Sequence, residues 1–190
     1  KLNQAHCRLG AARARLALGD RERAVPALRR AVESYTRLGN KPWTAVARTF
    51  LAEAIAHRSP RAARAHALRA AEAFRRSGAR YWLARAEVVL AESALSAADA
   101  DRAARTALGT MRRIASPNLM WRAHAVRARA NPSKCLPHYR RMFDALLEGR
   151  VRTTSAASRM ASLRDKGDVL RDYLEALLAR PTPARIEEAM

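Results

Sequence analysis

The chain has 190 residues, 49% of them hydrophobic, which is enough for an extended domain with a buried core and excludes a disordered tail. Aromatic residues make up only 5%, and alanine supplies much of the apolar fraction, so helices closing on small side chains are expected and a strand-based core is not. The net charge is +20, and residues 151–190 hold seven basic and six acidic side chains, so +19 falls on residues 1–150.

Taken in chain order, apolar and small residues recur at three-to-four spacing and predict helices over 2–18, 21–38, 42–57, 60–77, 80–96, 99–114, 117–130 and 134–148. The breaks between them carry helix-ending chemistry. Gly19, Gly39 and Gly78 are placed to supply the left-handed backbone that closes a helix, and Ser59-Pro60 and Ser116-Pro117 read as N-caps followed by proline at the first helical position. Pro26 sits inside the second helix, which is therefore expected to kink or to begin late, near Arg23.

The tryptophans set the period. Trp43, Trp82 and Trp121 are the only three and lie 39 residues apart, each followed by alanine two and four positions on: Ala45 and Ala47, Ala84 and Ala86, Ala123 and Ala125. Leu51-Ala52-Glu53 and Leu90-Ala91-Glu92 keep the same offset. A unit of two helices cannot bury its apolar stripe alone, whereas a row of such units can. The small residues Ala12, Ala52 and Ala91 on first helices, with Ala24, Leu28 and Ala31, then Ala63, Ala67 and Ala70, then Ala103 and Ala107 on second helices, resemble the packing pattern of tetratricopeptide (TPR) repeats, with a longer period than the usual ~34 residues. The resemblance implies an all-α, right-handed superhelical solenoid of antiparallel helix pairs. About four pairs would occupy 1–150, and 151–190 would form a linker helix and a truncated terminal pair.

The last 40 residues have a different character. Thr153-Thr154-Ser155 are placed to cap a short helix, and Arg159-Met160-Ala161-Ser162-Leu163-Arg164-Asp165-Lys166 leads into Asp168-Val169-Leu170-Arg171-Asp172-Tyr173-Leu174-Glu175-Ala176-Leu177-Leu178. This order resembles the segment joining TPR arrays to CHAT domains, a caspase-like peptidase family. The stretch departs from that pattern by lacking the usual Phe and by inserting Gly167. Pro183 to Met190 resembles the start of the last helix before the peptidase. The resemblance implies a prokaryotic protein of which this chain is a piece, with the catalytic His and Cys in a downstream domain. A second expectation is the TPR sensor arm of a large transcriptional regulator or signalling ATPase, whose repeats share the long helices and arginine-rich composition.

Cys7 and Cys135 lie near His6 and His138, the residue types of an activated thiolate, but neighbours on one helix point apart and a third orienting group is missing, so both cysteines read as packing residues. Neither zinc-ligand spacing nor a disulfide framework is present; no cofactor or metal is expected, and a reducing cytoplasm suits the cysteine content. No run of 18 or more apolar residues signals a membrane span. The tryptophans, with Tyr81 and Tyr139, read as packing between pairs. Candidate partner-binding residues are the polar positions of first helices: Arg13, Glu53, His57, Arg85, Glu92, His124 and Arg127. The positive field suits an acidic peptide or protein segment; nucleic acid, drawn by counterion release, ranks lower because the aromatic interleaving of single-strand binders is missing.

Overall fold

The computed structural model describes residues 1–114, 116–151 and 166–179, with Thr182 and Glu188. Within these residues the chain is all-helical, with nine α-helices and no strand. They are α1 (Leu2–Ala17), α2 (Arg21–Arg37), α3 (Lys41–Ile55), α4 (Pro60–Ser77), α5 (Arg80–Glu92), α6 (Ala97–Met111), α7 (Pro117–Ala130), α8 (Leu136–Val151) and α9 (Gly167–Leu178). None is long and apolar enough to cross a membrane. The chain forms two compact units, Lys1–Ala115 and Ser116–Met190. The sequence places α7 and α8 with the array up to residue 150; in the structure they group with α9.

In the first unit each helix packs on the next in the chain, from α1 through α6, and α3 also touches α1 and α5. This order is that of a row of helix pairs, consistent with a helical-repeat solenoid. Alanine makes the close approach possible. Ala12, Ala24, Ala31, Ala47, Ala52, Ala63, Ala67 and Ala70 are fully shielded from solvent, so backbones meet across methyl groups. Each second helix carries one larger residue in its last turn, Tyr35, Phe74 or Met111, and all three are buried. Helix α3 is sandwiched on several sides, and nine of its fifteen residues are buried.

The caps follow side-chain chemistry. Asp20 accepts a hydrogen bond from the Arg23 amide at 3.1 Å, and Asn40 accepts one from Trp43 at 3.3 Å. Gly39 and Gly78 take φ of 67° and 70°, the left-handed backbone that costs glycine least. Ser59 and Ser116 stand at N-cap positions before proline, but their side chains make no capping bond. Helix α2 begins at Arg21, not near Arg23, and runs on through Pro26. At the sixth helical position proline forfeits only the bond to Glu22, and its exposed ring meets solvent.

The expected boundary between α5 and α6 is displaced. Helix α5 ends at Glu92, where the Ser93 hydroxyl donates to the Val89 carbonyl at 2.7 Å, and Ser96, expected inside α5, instead caps α6 by accepting from the Asp99 amide at 3.2 Å. Within α6, Ala104, Ala107 and Met111 are buried, while Ala103, the expected contact, is half-buried. The buried set thus keeps the spacing of Leu28, Ala31 and Tyr35 in α2.

The second unit is built from α7, a 3-10 turn at Pro132–Lys134, α8 and α9. Its core joins Ala125 and Ala128 of α7 to Tyr139, Met142 and Leu146 of α8 and Val169, Tyr173 and Leu177 of α9. The rings of Tyr139 and Tyr173 stack at 5.5 Å. Helix α9 covers most of the segment that resembles the pre-peptidase helix; the Arg159–Asp165 stretch, the Thr153–Ser155 cap and the Pro183–Met190 segment except Glu188 lie outside the described residues.

Candidate binding surface

Two tryptophans occupy matching slots. Trp43 and Trp82 are each the third residue of a first helix, and each stacks on the aromatic residue eight positions earlier, Tyr35 or Phe74, with ring centroids 6.0 Å apart and planes inclined by 23° in both cases. The third ring neighbour differs: Trp43 meets the edge of His6 at 4.6 Å, and Trp82 that of Phe50 at 5.9 Å. Trp121 lies two positions deeper in its helix, and the ammonium of the buried Lys166 sits 5.3 Å from its ring centroid.

The first helices α1, α3 and α5 bring three of the expected binding residues together. Phe50 of α3, only 3% exposed, is the centre. The guanidinium carbons of Arg13 from α1 and Arg85 from α5 lie over its ring, at 4.8 and 4.5 Å from the centroid, where the ring's negative face attracts cations. Arg85 also donates through Nε and Nη2 to Oε2 of Glu53, at 3.2 and 2.8 Å. The side chains of Arg85 and Glu53 are 19% and 16% exposed, so this pair is more sheltered than an ordinary surface ion pair. Arg13 is exposed, and it presents a cation that an aromatic ring orients from behind.

The other expected residues fall elsewhere. His57 lies beyond the end of α3, exposed; partial burial, then the charges of Arg21 and Arg58, hold its imidazole below the usual histidine range. Glu92 is exposed at the last position of α5. His124 and Arg127 belong to α7 in the second unit. His124 is buried, with its ring stacked 6.0 Å from His138, and burial, followed by the charges of His138, Arg141 and Arg127, lowers its pKa to about 4. It is therefore a neutral core histidine, with Arg127 half-buried beside it in sequence.

Both cysteines are free thiols, Cys7 exposed and Cys135 half-buried. The His6 imidazole next to Cys7 is engaged elsewhere, since its Nδ1 shares a 2.8 Å hydrogen bond with the Tyr35 hydroxyl. The sequence reading missed Phe50, because a lone phenylalanine among alanines gives no sign that two arginines from other helices will meet on it. It also missed Glu87 of α5, a buried carboxylate 3.9 Å from Arg75, whose pKa burial raises against the opposing influence of Thr110 and Arg75.

The fold defines the class, an all-helical protein of repeat-like helix pairs. Beyond that class, neither protein-family models nor curated proteins give a match to this chain.

Proposed function

We propose that this chain is a non-catalytic protein-binding scaffold whose α1–α3–α5 face receives an acidic peptide segment of a partner. The observation that carries this reading is the convergence of Arg13 of α1 and Arg85 of α5 on Phe50 of α3, with Glu53 of α3 bonded to Arg85. Two guanidinium groups against one carboxylate leave the face cationic, and the buried ring holds the arginines in place before a partner arrives, which lowers the ordering cost of binding. The test is peptide display against the whole chain. Selected peptides should be rich in Asp and Glu and should bind Arg13→Glu at least about tenfold more weakly, the loss expected for one charge-assisted contact. Neutral peptides, or equal binding to Arg13→Glu, would defeat the proposal.

In the parent protein we infer that this scaffold is the sensing or recruitment arm of a caspase-like CHAT peptidase, in the cytoplasm of a prokaryote. The support is the likeness of residues 159–178 to the segment preceding such domains, together with the helix at Gly167–Leu178. Reading the gene past Met190 tests it: an α/β domain with a His and a Cys on neighbouring strands is expected, and a different following domain, or a nucleotide-binding module before Lys1, would favour the regulator or ATPase arm instead. Nucleic-acid binding is a second reading, favoured by the +19 carried on residues 1–150. It requires affinity for duplex or single strands that falls steeply with salt.

A further inference from the structure

On α2, α3 and α4 the first unit carries a second basic feature. A cleft of about 800 Å³ opens there, with Lys41 and Arg48 of α3 and Arg69 and Arg76 of α4 among its lining. Glu72 is the acidic side chain in the lining, and it is bonded to Arg76 at 3.1 Å. One further cation, Arg29, acts near the same place. His66, one turn before Arg69, feels the charges of Arg48, Arg69 and Arg29, the last from α2.

Several arginines of this unit sit 2.8 to 3.9 Å from a carboxylate, Arg58, Arg75, Arg76 and Arg85 among them. Among the described residues Arg29, Arg48 and Arg69 have no such partner. More telling, Nε of Arg48 and Nδ1 of His66 are both shielded from solvent without a hydrogen-bond partner in the chain. A shielded donor such as Nε of Arg48, beside unbalanced positive charge, weakens a fold unless an acceptor completes it. Burial, together with neighbouring Arg69, already lowers the Arg48 pKa, and burial ahead of the three arginines lowers that of His66. The arrival of an anion would give Nε of Arg48 an acceptor and offset the charge that Arg48 shares with Arg69.

We propose that this cleft binds the phosphoryl group of a small soluble ligand, held by the guanidinium groups of Arg48 and Arg69. Guanidinium forks match phosphate oxygens two at a time, and a dianion balances more of the surplus charge than one carboxylate does. The cleft volume is within the range of small-molecule sites, which argues for a phosphorylated small molecule over a macromolecular backbone. His66 is not among the lining residues, but it senses the charges of Arg48 and Arg69 and so reports an anion bound between them. The proposal is independent of the α1–α3–α5 face, so either stands if the other fails.

Inorganic pyrophosphate is the probe, titrated into the whole chain at near-physiological salt and followed by calorimetry and by the ring resonances of His66. Saturable one-to-one binding with a shift of the His66 signals is expected. Arg69→Ala, at an exposed position that leaves the core untouched, and Arg48→Lys, which keeps the charge but removes the fork, should each weaken binding about tenfold or more. The exposed Arg61→Ala on the same helix should bind as the parent does. Absence of saturation, or equal binding by all three variants, would show a diffuse ionic atmosphere and overturn the site. A short duplex that shifts His66 more tightly than pyrophosphate does would assign the cleft to nucleic acid, and the proposal would fall.

Discussion

Separating Arg85 from Glu53 should reveal how firmly the α1–α3–α5 face is built. The pair has two donor contacts, at 3.2 and 2.8 Å, and both side chains are more than four-fifths sheltered. Exposed ion pairs contribute about 0.2–1 kcal/mol, and hydrogen bonds to charged groups about 1.5–3 kcal/mol. A coupling of about 1–2 kcal/mol therefore follows for a double-mutant cycle of Glu53→Ala and Arg85→Ala. Arg85→Ala should cost more than the coupling alone, because it also removes the cation from the Phe50 ring, a contact of about 0.5–1 kcal/mol. Urea unfolding followed by far-UV circular dichroism gives the four stabilities, provided the slope m is unchanged across the set. Raising salt from low to about 0.5 M should leave most of the coupling intact, since sheltered pairs are screened less than exposed ones. A coupling below about 0.3 kcal/mol would be that of a solvated surface pair, and the case for a preformed face would be refuted.

The buried His124 makes the second unit sensitive to acid. Its folded pKa is about 4 against 6.5 unfolded, so the unfolded chain binds the proton first, and stability should fall as pH drops from about 6.5 to about 4, by about 3 kcal/mol in all. His124→Leu should flatten this loss in melts at pH 7.5, 5.5 and 4.5, and an equally steep loss in the variant would contradict the assignment. Gly39→Ala and Gly78→Ala should each cost about 1 kcal/mol through backbone alone, because an added Cβ meets nothing within 4 Å at either position; urea midpoints that match the parent would refute it. Trp82→Ala should destabilise by about 3 kcal/mol and Trp43→Ala by about 1 kcal/mol less, because Trp43 is 37% exposed; equal or reversed losses would count against the packing described.

The helices were legible in the sequence because their signals are local. Three-to-four spacing, glycine ends and the Asn40 and Asp20 caps all act within a few residues. The α5–α6 join was misread for the same reason: Ser93, Ser96 and the alanines around them suit either a helix interior or a break, and the choice is made by the Val89 carbonyl and the Asp99 amide. Of the candidate site, Arg13, Glu53 and Arg85 could be found from their positions on first helices, but their meeting point could not, since Phe50 gathers side chains from residues 13 and 85. His124 carried no sign of burial in the sequence, and it took the stacked His138 from α8 to close it off. Arg48 and Arg69 lie 21 positions apart on different helices, and only the packing of α3 on α4 brings them to one cleft.

Native-state hydrogen exchange tests the row of mutually supporting helix pairs most directly. Nine residues of α3 are buried among four neighbouring helices, against three residues of α1, which has support from one side. If each pair is stabilised chiefly by its neighbours, amides of α3 around Ala47 to Ala52 should open with a free energy well above those of α1, with α2 between them. Exchange of α1 and α3 at one common rate, through a single global opening, would contradict the account.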